Sequence, residues 1–308
     1  MYSKEDVRRL TKIRNAVILA HNYQRPEVQD VADYVGDSLG LSIKAMETDA
    51  KLIVFAGVDF MAEQAAILNP GKYVLHPDQT SRCPMASMLS PEIVRRYRER
   101  YPKAPFIAYV NSLAEVKALA DYVVTSSSAV KLVSQLEEDT VLFGPDRNLA
   151  NHVAEVTGKE VVPVPHYGHC PVHVVITLRD VEDSRVKHPR AKLLAHPECL
   201  REIRDIADFI GSTSQMVRAA ATLGAEEYIV ATEIGLLYRI EKLGKRAYPA
   251  SPYAVCTDMK KITLEKIVEC LQRGTGLVRV EPKIAERVRE VLEKSFELIG
   301  VGVPWQKS

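Results

Sequence analysis

Three cysteines recur at nearly equal intervals along the sequence. Cys83, Cys170 and Cys256 lie 87 and 86 residues apart. Thiolates are ligands for zinc and for iron–sulfur clusters, so three thiols brought to one point could hold either group. Most clusters take four cysteines, and a [4Fe–4S] cluster held by three would keep one iron open as a Lewis acid. Zinc with three cysteines and a water is the alternative, but the sequence has no C-x-x-C pair, which favours the cluster.

The other two cysteines show no such recurrence. Cys270 lies in the helical run IVECLQ, and we expect it to pack in the core, as free cysteines usually do. Cys199 aligns with Gln24 and Ser112 rather than with another cysteine, which makes it a weak candidate for chemistry.

Polar groups recur in the same register. The apolar runs VILAHNYQ, FIAYVNSL and LLAHPECL each lead into side chains suited to acid–base work or hydrogen bonding, namely His21, Tyr23, Tyr109, Asn111, His196 and Glu198. Farther on, a hydroxyl follows each of the aspartates Asp33, Asp121 and Asp208, at Ser38, Ser126 and Thr213. We interpret the aspartates as structural turn residues. A hydroxyl where a strand turns into a helix can simply be a helix N-cap, but the free N–H groups of such an end also bind anions. We therefore favour a role for the three hydroxyls in binding a small molecule with several anionic groups.

The elements that position these residues follow from the repeat. In the first repeat we predict strands at 17–21, 33–36, 52–55 and 73–75, and helices at 27–32, 38–47 and 59–68. Short apolar strands that alternate with helices indicate parallel sheets covered on both faces. We expect charged helices near 91–101, 178–188 and 259–273 to connect the repeats, and an amphipathic helix at 281–298.

The predicted fold is therefore α/β, with three similar three-layer αβα domains around a pseudo-threefold axis, each holding a parallel four-stranded sheet. The predicted domains are 1–101 with Cys83, 102–188 with Cys170 and 189–275 with Cys256, followed by a C-terminal helical segment, 276–308, that packs on the body. Ligands bind at the carboxyl ends of parallel strands. If the three strand ends face one cavity, three equivalent cysteines converge there.

Composition excludes several classes of protein. The 308 residues carry 41 Lys and Arg against 40 Asp and Glu, a net charge of +1, which argues against a nucleic-acid partner. No apolar run approaches the ~20 residues that span a bilayer, and the start of the chain lacks a secretion signal. We therefore expect a cytoplasmic protein without a membrane partner, whose cysteines are thiols, metal ligands or catalysts rather than disulfides.

The sequence resembles the quinolinate synthase family over essentially its whole length. The resemblance rests on these segments, in order: LAHNYQRPEVQD, ADYVGDS, GVDFMAE, SRCPMASM, AYVNS, FGPDRNLA, GHCPVH, HPEC, GSTSQM, TEIG and AVCTDMKKITLEKI. The tail lacks the extra cysteine cluster of some members, so the chain is similar to the shorter form.

This resemblance implies an iron–sulfur enzyme of de novo NAD biosynthesis. Such an enzyme condenses iminosuccinate (iminoaspartate) with dihydroxyacetone phosphate to give quinolinate, phosphate and two waters. It implies one [4Fe–4S] cluster per chain, with Cys83, Cys170 and Cys256 as ligands. It also implies a substrate-binding set of His21, Ser38, Tyr109, Val110, Asn111, Ser126, His196, Pro197, Glu198 and Thr213. An aspartate oxidase or an aspartate dehydrogenase would supply the imine.

For catalysis, we expect Tyr23 and Glu198 to move protons, with His21 and His196 orienting intermediates or sharing that work. Two other functions stay open from the residues alone. One is a non-catalytic iron–sulfur redox sensor. The other is a zinc lyase or hydrolase, against which stands the absence of HExxH, GxGxxG and P-loop motifs.

Overall fold

A computed structural model of the chain describes residues 2–302, which form three parallel sheets and the helices around them. The strands are β1 (Ala16–His21), β2 (Tyr34–Gly36), β3 (Leu52–Ala56), β4 (Tyr73–Leu75), β5 (Phe106–Tyr109), β6 (Tyr122–Val124), β7 (Thr140–Gly144), β8 (Glu160–Pro163), β9 (Lys192–Ala195), β10 (Phe209–Ile210), β11 (Glu227–Ala231) and β12 (Arg246–Pro249). The helices are α1 (Lys4–Arg14), α2 (Pro26–Val31), α3 (Ser38–Glu47), α4 (Asp59–Leu68), α5 (Pro91–Arg100), α6 (Ala114–Lys117), α7 (Ala129–Ser134), α8 (Arg147–Thr157), α9 (Pro171–Val174), α10 (Leu178–Lys187), α11 (Arg201–Asp205), α12 (Thr213–Thr222), α13 (Gly235–Glu241), α14 (Leu264–Arg273) and α15 (Pro282–Leu298).

The three sheets share one topology. Their strand orders are β2-β1-β3-β4, β6-β5-β7-β8 and β10-β9-β11-β12, and neighbouring strands run parallel. We call the sheets with the helices between their strands the first lobe (16–75), the second lobe (106–163) and the third lobe (192–249). The predicted α/β class with three parallel four-stranded sheets is confirmed. The domain boundaries remain a prediction, and residues 303–308 of the last segment lie outside the described part of the chain.

Local sequence accounts for these elements. The run AVILAH forms β1 and is buried from its second residue onward, as expected for a parallel strand covered on both faces. Pro26 opens α2 at a first helical position, where its missing N–H costs nothing. The predicted helix at 259–273 is divided instead, into a short 3₁₀ turn and α14. The Thr263 side chain accepts the N–H of Lys266 and so starts α14 afresh.

The three recurring aspartates hold the sheets together, in agreement with the structural interpretation. Each carboxylate accepts a backbone N–H from the first strand of its lobe. The pairs are Asp33 with Ile18 (2.7 Å), Asp121 with Phe106 (2.8 Å) and Asp208 with Leu193 (2.7 Å). This bond fixes the chain where it enters the edge strand of each sheet.

Each helix that leaves one lobe packs on the next. Val94 of α5 packs in the core that the first and second lobes share, and α5 contacts α6 of the second lobe. Val181 of α10 packs in the core of the third lobe with Leu193. Ile267 of α14 closes the ring, because it packs with Ile18 in the core of the first lobe. The lobes are therefore joined in a cycle that brings their sheets around one centre.

The last helix, α15, lies against the first and second lobes. The Ser295 hydroxyl accepts the N–H of Val123 at 2.8 Å, and the Arg289 guanidinium donates to the carbonyl of Ile67 at 3.1 Å. Across residues 2–302, none of the helices combines the length and the apolar character needed to cross a bilayer.

Candidate active site

A cavity of about 300 Å³ lies where the three lobes meet. The first lobe and its following loop contribute His21, Tyr23, Ser38 and Cys83. The second lobe and its following loop contribute Tyr109, Val110, Asn111, Ser126 and Cys170. The third lobe and its following loop contribute His196, Glu198, Thr213 and Cys256. Pro197 is the one residue of the sequence-predicted set that is not among the described residues lining this cavity.

The ends of the first strands place equivalent side chains on the cavity. His21 ends β1, Tyr109 ends β5, and His196 directly follows β9. In both histidines Nδ1 accepts the backbone N–H two residues later, from Tyr23 at 3.2 Å and from Glu198 at 3.3 Å. The ring proton therefore sits on Nε2, and each histidine offers the cavity an N–H donor.

The capping alternative for the three recurring hydroxyls is wrong, because the N-cap positions lie one or two residues away. Ser38 and Thr213 are the first residues of α3 and α12, and the caps are Asp37 and Ser212. The reason is that Asp37 accepts the N–H of Gly40 at 2.9 Å, which a carboxylate does at least as well as a hydroxyl. Ser126 lies before α7, whose N-cap position is Ser128. The hydroxyls of Ser38 and Thr213 therefore do not cap these helices.

Asp37 and Thr213 also join the first lobe to the third. The Ser212 hydroxyl donates to Asp37 at 3.0 Å, and the Asn22 amide donates to Thr213 Oγ1 at 2.8 Å. These bonds between lobes fix the starts of α3 and α12 relative to each other at the wall of the cavity.

A row of polar side chains from Tyr23 to Tyr109, here called the polar chain, crosses the site, with hydrogen bonds at every step except between His173 and Glu198. The Tyr23 hydroxyl lies 2.5 Å from Thr232 Oγ1, which lies 2.8 Å from His173 Nε2. His173 Nδ1 lies 2.9 Å from one oxygen of Glu198. The Tyr109 hydroxyl donates to the other Glu198 oxygen at 2.5 Å. All three lobes contribute to this chain, so it exists only when they are assembled.

Burial and these contacts set the ionisation of the groups. Burial raises the pKa of Tyr23 and of Tyr109, and the Glu198 carboxylate raises both further, so the two tyrosines are neutral phenols. Burial alone would raise the pKa of Glu198, but the adjacent His173 ring and the hydrogen bond donated by Tyr109 outweigh it and lower that pKa to about 2. Burial lowers the pKa of His21 to about 4 and that of His196 to about 3. Among these groups Glu198 is thus the carboxylate, beside neutral phenols and imidazoles.

The three recurring thiols reach the cavity from loops that follow the last strand of each lobe. Burial raises the pKa of Cys83 and Cys170, and it raises the pKa of Cys256 to about 11. A metal group would have to displace these protons to bind, since the thiolate is the ligand. Cys199 and Cys270 are buried elsewhere, with their thiols directed to the carbonyls of Ala231 and Thr275, at 3.1 Å each.

A second group of donors could hold a single metal ion. Over the described residues, ligand atoms of Cys170, His173 and Glu198 lie within 4.8 Å of one another. This group shares only Cys170 with the three recurring cysteines. In the structure its histidine and carboxylate already engage each other.

His173 and Thr232 are the members of the polar chain that the sequence analysis did not predict. The positions equivalent to His173 hold Ala86 and Met259, three residues after their own cysteines. A search for recurring residues therefore passes over His173. The sequence feature that could have indicated His173 as a site residue is its position three residues after Cys170, in GHCPVH.

Fold and site together define an α/β enzyme with a thiol-lined cavity and a buried acid–base chain. The family model described as NadA, quinolinate synthetase A protein, matches residues 5–297. The chain therefore belongs to the quinolinate synthase family. It is 50% identical to a quinolinate synthase of Pyrococcus furiosus over 297 residues, covering 96% of this chain and 97% of the relative. Those of Methanocaldococcus jannaschii and Thermotoga maritima are 48% and 46% identical, covering 96% of this chain and 98% and 99% of the relatives.

Proposed function

We propose that this chain condenses iminosuccinate with dihydroxyacetone phosphate to form quinolinate, phosphate and water in de novo NAD biosynthesis. The observation that carries the proposal is the single cavity on which all three lobes present a thiol beside the polar chain from Tyr23 to Tyr109. Relatives named quinolinate synthase that match 96% of the chain support the same activity.

A [4Fe–4S] cluster held by Cys83, Cys170 and Cys256 is part of this proposal. Soft thiolate donors favour zinc, copper(I) or iron–sulfur groups, and the three thiols line one cavity. A single ion on Cys170, His173 and Glu198 would compete with the contact between the last two. The donor set therefore fits a larger, thiolate-bound group better. When bound, a cluster with three protein ligands supplies Lewis-acid chemistry at its remaining iron.

The neutral donors around the cavity suit the anionic substrates. The Nε2–H groups of His21 and His196 and the amide of Asn111 can hold carboxylate or phosphate oxygens. Ser38 and Thr213 add hydroxyls at the positive ends of α3 and α12, where anions are favoured. We therefore assign these residues, with Ser126, to substrate binding.

Proton movement falls to the polar chain. Tyr23 and Tyr109 are neutral and can donate, while the Glu198 carboxylate can accept. The Thr232 hydroxyl bonds both Tyr23 and His173, and His173 Nδ1 lies 2.9 Å from Glu198 without the alignment of a hydrogen bond, so the ring must turn for a proton to pass. A proton taken up at one end can thus be delivered at the other, as isomerisation, dehydration and ring closure require.

Anaerobic purification followed by iron, sulfide and product analysis tests the proposal. We expect about four irons and four sulfides per chain, and quinolinate formed from the two substrates. Iron without quinolinate would favour a redox sensor, and zinc in place of iron would favour a zinc lyase. Either result would refute the proposed function.

Variants of the polar chain test its role separately. Tyr23→Phe and Glu198→Gln keep the shape of each side chain and should lower kcat by about 10²- to 10⁴-fold, the usual contribution of acid–base catalysis. Their iron and sulfide contents should equal those of the wild type. Normal turnover in both variants, with the cluster intact, would remove the chain from the mechanism.

Supply of the imine by an aspartate oxidase or an aspartate dehydrogenase belongs to the same proposal. So does a cytoplasmic location, where thiols stay reduced. A coupled assay with either supplier should yield quinolinate from aspartate, and failure with both would refute this part.

A further inference from the structure

A carboxylate follows the third strand of every lobe and accepts the backbone N–H of a cavity cysteine. The pairs are Asp59 with Cys83 at 3.0 Å, Asp146 with Cys170 at 2.9 Å, and Glu233 with Cys256 at 3.1 Å. The partners are 24, 24 and 23 residues apart in the sequence. The recurrence in three lobes shows a common device rather than a chance contact.

The same carboxylates also bind the start of the next helix. Asp59 accepts the N–H of Phe60 at 2.9 Å, Asp146 that of Leu149 at 2.7 Å, and Glu233 that of Gly235 at 2.7 Å. Each carboxylate therefore fastens a cysteine loop to the first turn of α4, α8 or α13. Because the bond meets the cysteine at its own N–H, it restricts the direction in which that residue's side chain leaves the backbone.

The carboxylate of the third lobe, Glu233, has an additional partner. Lys260 Nζ lies 2.9 Å from Glu233 and also donates to the carbonyl of Tyr23 in the first lobe. The loop that carries Cys256 is thus tied both to its own lobe and to the residue at one end of the polar chain.

We infer that Asp59, Asp146 and Glu233 are positioning residues that hold the three cysteine loops in the arrangement a metal cluster needs. This inference rests on the proposed function for the identity of the bound group. Irregular loops are costly to order, and groups that bind metal ligands from behind fix those ligands in place. Because these three carboxylates hold the cysteine loops, most of the cost of ordering the loops is met when the lobes fold rather than when the metal group binds.

Asp59→Ala is the first test, because Asp59 is less buried than Asp146 and its loss threatens folding least. On the anaerobically reconstituted full chain, we expect cluster loss to an excess of iron chelator to be about 10-fold faster or more. Hydrogen exchange measured by mass spectrometry should rise about 10-fold in peptides that contain Cys83. Peptides that contain Cys170 or Cys256 should not change.

Asp33→Ala is the matched control. It removes an equivalent carboxylate-to-backbone bond in the same lobe. The variant therefore destabilises the lobe but leaves every hydrogen bond to a cysteine in place. Its rate of cluster loss should stay near that of the wild type. Asp146→Asn, which keeps one acceptor oxygen, should retain more protection around Cys170 than Asp146→Ala does.

Two outcomes would overturn the inference. One is unchanged exchange around Cys83 in Asp59→Ala, and the other is equal cluster loss in Asp59→Ala and Asp33→Ala. A wild-type chain that binds no iron and forms no quinolinate would instead refute the proposed function. The exchange measurement would then still decide whether the carboxylates hold the loops.

Discussion

Lys117 of α6 is buried, and across residues 2–302 no carboxylate forms an ion pair with it, which makes its charge costly. Its side chain is fully excluded from solvent, and Nζ donates to the amide oxygen of Gln64 at 3.0 Å. The Gln64 amide donates to the Ser42 hydroxyl at 2.8 Å, and that hydroxyl donates to the carbonyl of Ser38 at 2.7 Å. Burial lowers the pKa of Lys117 to about 8 from its ordinary 10.5, although the Glu63 carboxylate opposes the change. We predict that this lysine makes the free energy of unfolding depend measurably on pH.

The sign follows from proton binding. Between about pH 8 and pH 10.5 the unfolded chain holds a proton on Lys117 that the folded chain has released. Stability due to this residue therefore rises with pH across that window. The gap corresponds to about 3 kcal/mol, or about 5 °C in Tm for a chain of this length.

Lys117→Met tests this prediction in melts at pH 7 and pH 10. The wild type should gain about 4 °C relative to the variant between the two values, because pH 10 stops short of the upper end of the window. Taking the difference between proteins cancels the thiols, which also titrate at high pH. Lys103→Met, at an exposed position, is the control and should track the wild type.

A pH-independent difference between wild type and Lys117→Met would refute the reasoning. The variant also leaves the Gln64 oxygen without its donor, at a cost of about 1–3 kcal/mol. That cost is the same at both pH values and so does not affect the comparison.

Three further predictions concern the cavity. Because burial lowers the pKa of His21 to about 4 from 6.5, stability should fall by about 2 kcal/mol between pH 6.5 and pH 5. His21→Gln should reduce that slope, and an unchanged slope would contradict the assignment. Thr232→Val, which interrupts the polar chain next to Tyr23, should lower kcat by roughly 10-fold or more at normal iron content; full activity would exclude the relay. In Gly235→Ala the new Cβ would lie 2.7 Å from the backbone of Tyr23, so kcat should fall. Gly71→Ala is the control, because its Cβ would enter open space, and it should behave as wild type. Equal activity of the two variants would show that Tyr23 need not be held in place.

Periodicity predicted the scaffold well, because the lobes repeat it three times. The helices 38–47 and 59–68 were predicted at the bounds they have in the structure, and so was the strand 73–75. The equivalence of Cys83, Cys170 and Cys256 also led to three thiols that line one cavity. A repeat reports what the lobes share, and they share strands, turns and loop attachments.

The chemistry that sequence reasoning missed lies where the repeat is broken. Thr232 occupies the position held by Val58 and Pro145 in the other lobes. Each of the three directly precedes the carboxylate that binds the cysteine loop of its lobe. His173 likewise has apolar counterparts. Three equal lobes build a symmetric wall, whereas a reaction with two different substrates needs unlike groups on it. Only the assembled structure shows which exceptions face each other across the lobes.

The cyclic packing of α5, α10 and α14 has a consequence for biosynthesis. The first lobe is the first to leave the ribosome, but α14, which covers one face of its sheet together with α1 and α2, spans residues 264–273. Through most of translation the nascent chain thus exposes part of an apolar face, a condition that favours aggregation. A prematurely terminated chain that ends before residue 264 would keep that part uncovered and would be a substrate for chaperones or proteases.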